Sequence, residues 1–360
     1  MDFKSYLQTA AQEINQEMDE IFAEWNKGVG EINEKLVPLN QSFVDACKGG
    51  KRLRGALVKL GYELARNVIL SETKDLDSSL ITQNDNNKEI LKSAAAFEIF
   101  QTAILAHDDI IDKSDLRRAV PTIWKKLGGN HYGISQTICL GDVGFFLAFR
   151  LISESNFPEK EKNQAIFSFS NSMIQTGLGE ILDVEVSQSG KADEQTYFKI
   201  CKLKTAFYTL IGPMQLGAVL AGADKELLNS IETFGEKLGI AFQIKDDILG
   251  IFGEEEALGK SVTSDIEEGK ITILLLYAKQ NGSKEQNNIL EKYYGVGKVG
   301  DTEVGLIRDV FIETGALDYS QKKAEELVSE AKKMISKITK NTEKAKLLEE
   351  MADFLVKRIS

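Results

Sequence analysis

The 360-residue chain has only four prolines, Pro38, Pro121, Pro158 and Pro213. So few breakers in a chain this long favour long helices. Cysteine is scarce too: Cys47, Cys139 and Cys201 are scattered, without metal-ligand spacing. Such thiols fit a reducing compartment, and so a cytoplasmic location, better than a disulfide framework. The two histidines, His107 and His131, have no nucleophile or metal partner by spacing. No uninterrupted apolar run reaches the roughly 18 residues that span a bilayer, so no transmembrane segment is expected. The N-terminus, MDFKSYLQTAAQEINQEMDE, is acidic and amphipathic, unlike a signal or transit peptide. Net positive charge is also missing. The balance is -11, which argues against nucleic acid as the main partner. Basic residues that matter must act in local clusters.

What is present reads as a soluble globular chain, 42% hydrophobic and 28% charged. Leu7, Ile14, Met18, Ile21, Phe22 and Trp25 recur at helical spacing, predicting a helix over 3–35 that ends near Pro38. Further helices are expected over 53–70, 89–112, 130–152, 158–188, 194–221, 224–251, 270–281, 302–314 and 319–358. No run alternates convincingly enough for a strand. The polar stretch 71–88 reads as a surface connection, and 281–301 as a partly helical surface excursion. The expectation is an all-α single domain over 1–360.

The chain is organised around Asp108-Asp109-Ile110-Ile111-Asp112. On a helix, Asp108 and Asp112 share a face. Crowded carboxylates raise one another's pKa unless a cation lies between them, and hard oxygen ligands suit Mg²⁺. They fall at a helix C-terminus, the wrong end for the dipole, and a broken local rule often marks function. Arg117-Arg118 follows as a pair of planar anion forks. Asp246-Asp247 repeats the acidic theme within Phe242-Gln243-Ile244-Lys245-Asp246-Asp247. Taken alone, that second pair reads equally well as a solvated helix face. Gly49-Gly50-Lys51-Arg52-Leu53-Arg54-Gly55 is a compact basic loop at a helix start, suited to cradling an anion. Lys204-Thr205 sits among apolar neighbours, where the ammonium could reach an anion. Together these features suggest a diphosphate held between magnesium ions and cations.

In this order, GGKRLRG at 49–55, DDIIDKSDLRR at 108–118, Lys204-Thr205, FQIKDD at 242–247 and GKSVTSDIEEGK at 259–270, the chain resembles the trans-isoprenyl (polyprenyl) diphosphate synthases. Within that family it looks most like geranylgeranyl diphosphate synthases. The resemblance implies an isoprenoid-synthase-like helical bundle around a central deep cavity, with the two acidic motifs facing each other at its mouth. It implies a prenyltransferase that condenses isopentenyl diphosphate head-to-tail with allylic diphosphates, and a homodimer. Asp108, Asp112 and Asp246, supported by Asp109 and Asp247, would bind about three Mg²⁺ ions. Arg117, Lys204 and Lys260 would hold the allylic diphosphate. Lys51, Arg54, Gln101 and Arg118 would hold isopentenyl diphosphate. Thr205, Gln243 and the Lys204 carbonyl would steady the allylic cation, while Lys270 and Asp265 help close the site.

Three positions depart from the family pattern. Gly250 stands where many members have a third Asp, Gly179-Glu180 where Gly-Gln is usual, and Ala119 where Gly is common. On the same resemblance, Ile104 and Ala103 govern product length. Neither is aromatic, so a C15 stop is not expected. Phe100, one turn deeper, and the Phe145/Phe146 helix are candidate floors for a C20 product. A longer polyprenyl product is the competing expectation. A non-catalytic partner subunit would have lost its aspartates or basic loop, and both are present.

Overall fold

The computed structural model describes residues 2–72, 85–118, 120–253 and 263–356. Among them the only sheet is a two-stranded one, and everything else regular is helical, as the sequence leads one to expect. The chain divides into two compact units. The first is Met1–Ser170 with Gly212–Leu228, and the second is Asn171–Ile211 with Asn229–Ser360.

In the first unit, α1 (Phe3–Ile32) starts where Asp2 accepts the Ser5 amide at 2.7 Å. It buries Leu7, Ile14, Met18, Ile21 and Phe22, the predicted face. Pro38 does not end a helical region but lies in the first turn of α2 (Val37–Cys47). Proline fits there because its missing N–H would have no intrahelical partner anyway. The Trp25 indole donates to Asn40 at 2.9 Å, tying α1 to α2. Next come α3 (Leu53–Glu72) and α4 (Asp85–Ile111), so most of the expected connection 71–88 lies outside the described residues. The helix α4 packs against α1, α3, the short α5 (Ile123–Lys126) and α6 (His131–Ser153). Ala94, Ala95 and Ala96 are fully buried, and such small side chains allow close approach on several sides. Asn130 caps α6 by accepting from the Tyr132 and Gly133 amides.

Among the described residues α6 is the one helix long and apolar enough to cross a membrane, although it holds no uninterrupted apolar run of that length. It carries Asp142 and Arg150, and Gly133, Gly141, Gly144, Leu147 and Ala148 form a face buried in the unit. Its composition is that of a core helix with one apolar side left exposed.

The second unit holds most of α7 (Glu159–Ser189) and α10 (Lys225–Phe252), with α8 (Glu194–Ile200) between them. The predicted single helix 194–221 has three parts: α8, a π-helix over Cys201–Ile211, and α9 (Gly212–Leu220), which belongs to the first unit. After α10 come α11 (Ser264–Glu267) and α12 (Ile273–Asn281). The excursion 281–301, expected to be partly helical, contains α13 (Lys284–Tyr293), started by a reciprocal Ser283–Gln286 capping box. Then follow α14 (Asp301–Glu313), α15 (Ala316–Ile338) and α16 (Thr342–Val356). The predicted unbroken 319–358 is thus two helices. Asn341 accepts the Glu343 and Lys344 amides, both at 3.0 Å, and restarts the chain. Ile244, Ile248, Leu274, Ile307 and Phe311 are in the core of this unit.

Candidate active site

In the first unit, α4 ends within the acidic motif. The Lys113 amide bonds to Ile110 O at 3.2 Å and the Ser114 amide to Asp109 O at 2.9 Å, with Lys113 at φ 53. This is a Schellman closure with lysine where glycine is usual. Thr122 Oγ1 and Trp124 Nε1 each donate to Ser114 O at 2.9 Å, stapling the connector. The short ribbon β1 (Leu116–Arg117) and β2 (Val120–Pro121) turns through Arg118 at φ 55. Arg117 is thereby directed back at α4. Its Nε and Nη2 each lie 2.7 Å from Asp109 Oδ1, and Nη2 lies 3.2 Å from Asp108 Oδ2. Burial pulls the Arg117 pKa down, but Asp109, Asp108 and Asp112 outweigh it and hold it raised. Asp109 is buried, Asp108 is half-buried and Asp112 is exposed.

The basic loop lies in the same unit. Gly49, Gly50 and Arg52 have φ of 76, 86 and 51°. A Cβ at Gly50 would meet Arg118 Nη1 at 2.9 Å. Arg118 therefore lies on the loop that carries Lys51 and Arg54. Burial first, and then crowding by Arg52, Arg117 and Arg54, lowers the Arg118 pKa against the pull of Glu98. Cations held this close suit a multiply charged anion. Arg52, which no role was expected of, is the anchor of the loop. It is buried and donates to Asn15 Oδ1 and Cys47 O, both at 2.7 Å. Gln101 is half-buried on α4.

Phe100 is buried, with its ring 4.7 Å from Phe145 and 5.2 Å from Phe169. Phe97 and Phe149 also pack edge-on to Phe169. Ala103 is fully buried and Ile104 half-buried, one turn towards the aspartates. Phe146, by contrast, is 75% exposed and not part of this cluster. His107, given no chemistry, lies 3.1 Å from Ile138 O.

In the second unit the π-helix presents Lys204 and Thr205. A Cβ at Gly179 would come 2.5 Å from the Lys204 backbone nitrogen, so only glycine lets α7 approach there. Lys204 Nζ pairs with Asp183 at 2.7 Å and with Glu180 at 2.8 Å. Burial pulls the Lys204 pKa down, but Asp183 and Glu180 outweigh it and leave it raised. Thr205 Oγ1 donates to Gln243 Oε1 at 2.6 Å, and Gln243 Nε2 donates to Asp247 Oδ1 at 2.9 Å. Lys270 Nζ reaches the same Oδ1 at 2.8 Å, and Tyr197 Oη donates to Oδ2 at 2.8 Å. Asp247 is 0% exposed, whereas Asp246 beside it is open to solvent. Asp265 lies 3.7 Å from Lys270. A Cβ at Gly250 would collide with the Asp265 carboxylate. Lys260 and Ala119 lie outside the described residues.

Asp108, Asp109, Arg117, Arg118 and the basic loop thus come together in one unit. Thr205, Gln243, Asp247 and Lys270 come together in the other. Tyr197 was missed. Its contact with Asp247 spans 50 residues of chain, and no local period encodes it.

The polyprenyl synthetase family model matches residues 37–309. The geranylgeranyl diphosphate synthase of Sulfolobus acidocaldarius is 31% identical over 314 residues, which are 85% of this chain and 93% of that protein. The geranylfarnesyl diphosphate synthase of Aeropyrum pernix is 31% identical over 316 residues, 86% of this chain and 95% of that one. A solved polyprenyl synthase from Caulobacter crescentus, complexed with calcium and isoprenyl diphosphate, is 28% identical with a TM-score of 0.74, covering 96% of this chain and 98% of that chain. With a helical fold shared along nearly its whole length and a family match over most of it, the chain belongs to the polyprenyl synthetases, the trans-isoprenyl diphosphate synthases.

Proposed function

We propose that the chain acts as a single polyprenyl synthetase domain that condenses isopentenyl diphosphate with allylic diphosphates to give C20 geranylgeranyl diphosphate. The observation that carries this reading is the convergence of Arg117 on Asp108 and Asp109 while Arg118 lies on Gly50. A carboxylate motif and a basic loop are thereby built side by side. That is the arrangement needed for one diphosphate bound through metal and another through cations.

The donor set fits Mg²⁺. Asp112 and Asp246 are exposed carboxylates, and the Arg117 guanidinium already answers the charge of Asp108 and Asp109. Mg²⁺ takes few protein carboxylates and keeps waters and phosphate oxygens. Asp108, Asp112 and Asp246 would hold about three ions, with Asp109 and Asp247 in support. When bound, Mg²⁺ draws charge from the leaving diphosphate and eases its departure.

Arg117, Lys204, Lys260 and Lys270 would grip the allylic diphosphate. Lys51, Arg54, Gln101 and Arg118 would orient isopentenyl diphosphate. The allylic C–O bond breaks with its electron pair leaving on pyrophosphate, the alkene attacks the cationic carbon, and a proton passes to the departed pyrophosphate. Thr205 and Gln243 offer oxygen lone pairs to the cationic carbon. No Ser, Cys or His nucleophile is required.

The aromatic cluster around Phe100 supports a C20 limit. A C25 product is the second reading, favoured by the small Ala103 and by the geranylfarnesyl activity named for the Aeropyrum relative. A homodimer and a cytoplasmic location belong to the same proposal. Val143 and Phe146 on α6, and Ile174, Leu178 and Ile181 on α7, are exposed apolar side chains of the kind that mark interfaces. The test is incubation with Mg²⁺, isopentenyl diphosphate and C5, C10 or C15 primers, followed by chain-length analysis of the dephosphorylated products. A product ending at C20 supports the reading, and C25 moves the floor deeper. No condensation with any primer removes the catalytic assignment and leaves a partner-subunit role.

A further inference from the structure

Asp247 has an environment unlike that of the exposed Asp246 beside it. Its carboxylate is wholly buried, and both oxygens accept side-chain hydrogen bonds. Oδ1 takes Gln243 Nε2 and Lys270 Nζ, at 2.9 and 2.8 Å. Oδ2 takes the Tyr197 hydroxyl at 2.8 Å. Tyr197 is itself buried, with its ring 5.6 Å from Phe198. An amide that donates its nitrogen to Asp247 must turn its oxygen the other way. Gln243 Oε1 accordingly faces Thr205 Oγ1 at 2.6 Å. The four side chains form one connected run: Tyr197 and Gln243 both donate to Asp247, and Thr205 donates to Gln243.

We propose that Tyr197 is a positioning residue, whose hydroxyl fixes the Asp247 carboxylate and through it the orientation of the Gln243 amide. The inference rests on the prenyltransferase reading of this site. A positively charged carbon is stabilised by the oxygen end of an amide and repelled by its N–H end. The terminal torsion of glutamine is broad and roughly two-fold, so it needs an outside constraint to choose one end. Asp247 supplies that constraint only while its own rotation is pinned. Gln243 and Lys270 both pull on Oδ1, and Tyr197 holds Oδ2. Hydrogen bonds to a charged acceptor in a dry site are strong, so loss of one redistributes the rest.

The test is Tyr197→Phe, which keeps the ring and its packing and removes one oxygen. Its kcat is expected to fall about tenfold while the allylic KM stays within about twofold, the pattern of an interaction made in the transition state. Calorimetric binding of a non-ionising allylic thiolodiphosphate is expected to match the parent, and the melting curve shows that the variant is folded. The deciding comparison is the same substitution in a Gln243→Leu background. There the route is already cut, so Tyr197→Phe should leave the remaining kcat unchanged. An equal loss in both backgrounds, or a weakened affinity for the analogue, overturns the positioning role. A parent protein that condenses no primer overturns the prenyltransferase reading and this inference with it.

Discussion

The carboxylate of Asp265 occupies the volume that a side chain at Gly250 would need, with its Cγ 3.0 Å from where a Cβ would lie. The missing third aspartate of the second acidic motif thus has a physical reason. This backbone seats an acid contributed from 15 positions along the chain (265 minus 250). Gly250→Asp, which restores the usual residue, should therefore harm this protein. Overpacking of this kind costs about 1–3 kcal/mol, and two like charges add to it. Urea denaturation should show the loss, and an Asp265→Ala background should relieve it. An unchanged midpoint for Gly250→Asp in the parent would show that Asp265 moves aside freely.

Arg117 answers a different need. Asp109 is 4% exposed, and Arg117 is its ion-pair partner at 2.7 Å. Taking one partner from a buried pair leaves a poorly solvated charge behind. Arg117→Met should cost about 3 kcal/mol, the low end for such pairs because the arginine keeps some solvent contact. Arg117→Lys should recover only part, since an ammonium cannot reproduce the two-nitrogen fork. Adding Asp109→Asn to Arg117→Met should restore most of the stability. Independent, additive losses in that double variant would argue against the pair.

Glu180 would compete with an allylic diphosphate for Lys204. It holds the ammonium at 2.8 Å opposite Asp183 at 2.7 Å, in a setting about one-third exposed. Solvent screening limits such a pair to about 0.2–1 kcal/mol. Glu180→Gln should release Lys204 towards the allylic diphosphate and lower its KM about two- to fivefold, with kcat little changed. A higher KM would mean that Glu180 presents Lys204 instead of restraining it.

Stability should also respond to pH through Glu17. Burial pushes its carboxyl above the usual 4.5, Lys88 and Lys92 pull it back, and Glu20 and Glu89 add to the rise. The folded state then holds a proton that the unfolded chain releases, so stability falls as pH rises from 4.5 through the higher folded value. Glu17→Gln should raise the melting temperature at pH 7, and the gain should vanish by about pH 4. A pH-independent difference would place the effect in packing.

Most of the helices and the acidic, basic and Lys-Thr stretches were legible because each is written locally. Asp108 and Asp112 announce themselves by spacing, and 49–55 by composition. Pro38 was misread because proline both ends helices and starts them. The stretch 281–301 was expected to be partly helical, and the Ser283–Gln286 capping box marks where its helix begins. The break before α16 was signalled by Asn341. What could not be read was contact across the chain: Arg118 on Gly50, Tyr197 on Asp247, Asp265 in the space beside Gly250. The π winding of Cys201–Ile211 was equally hidden, because it departs from the 3.6-residue period by which helices are read.

Product length is the property most open to change by one substitution. Phe100 lies one turn below Ala103, with its ring backed by Phe145 and Phe169. If this cluster stops the growing chain, Phe100→Ala should lengthen the main product by one or two C5 units. Phe145 and Phe169 remain beneath it, so the extension should be limited. The double variant Phe100→Ala/Phe145→Ala should reach further. Truncating a buried phenylalanine costs about 3–5 kcal/mol, so melting curves must accompany the product analysis. Phe100→Leu, with a smaller void, offers a gentler version of the same test. An identical product from all three folded variants would take the floor away from Phe100 and Phe145.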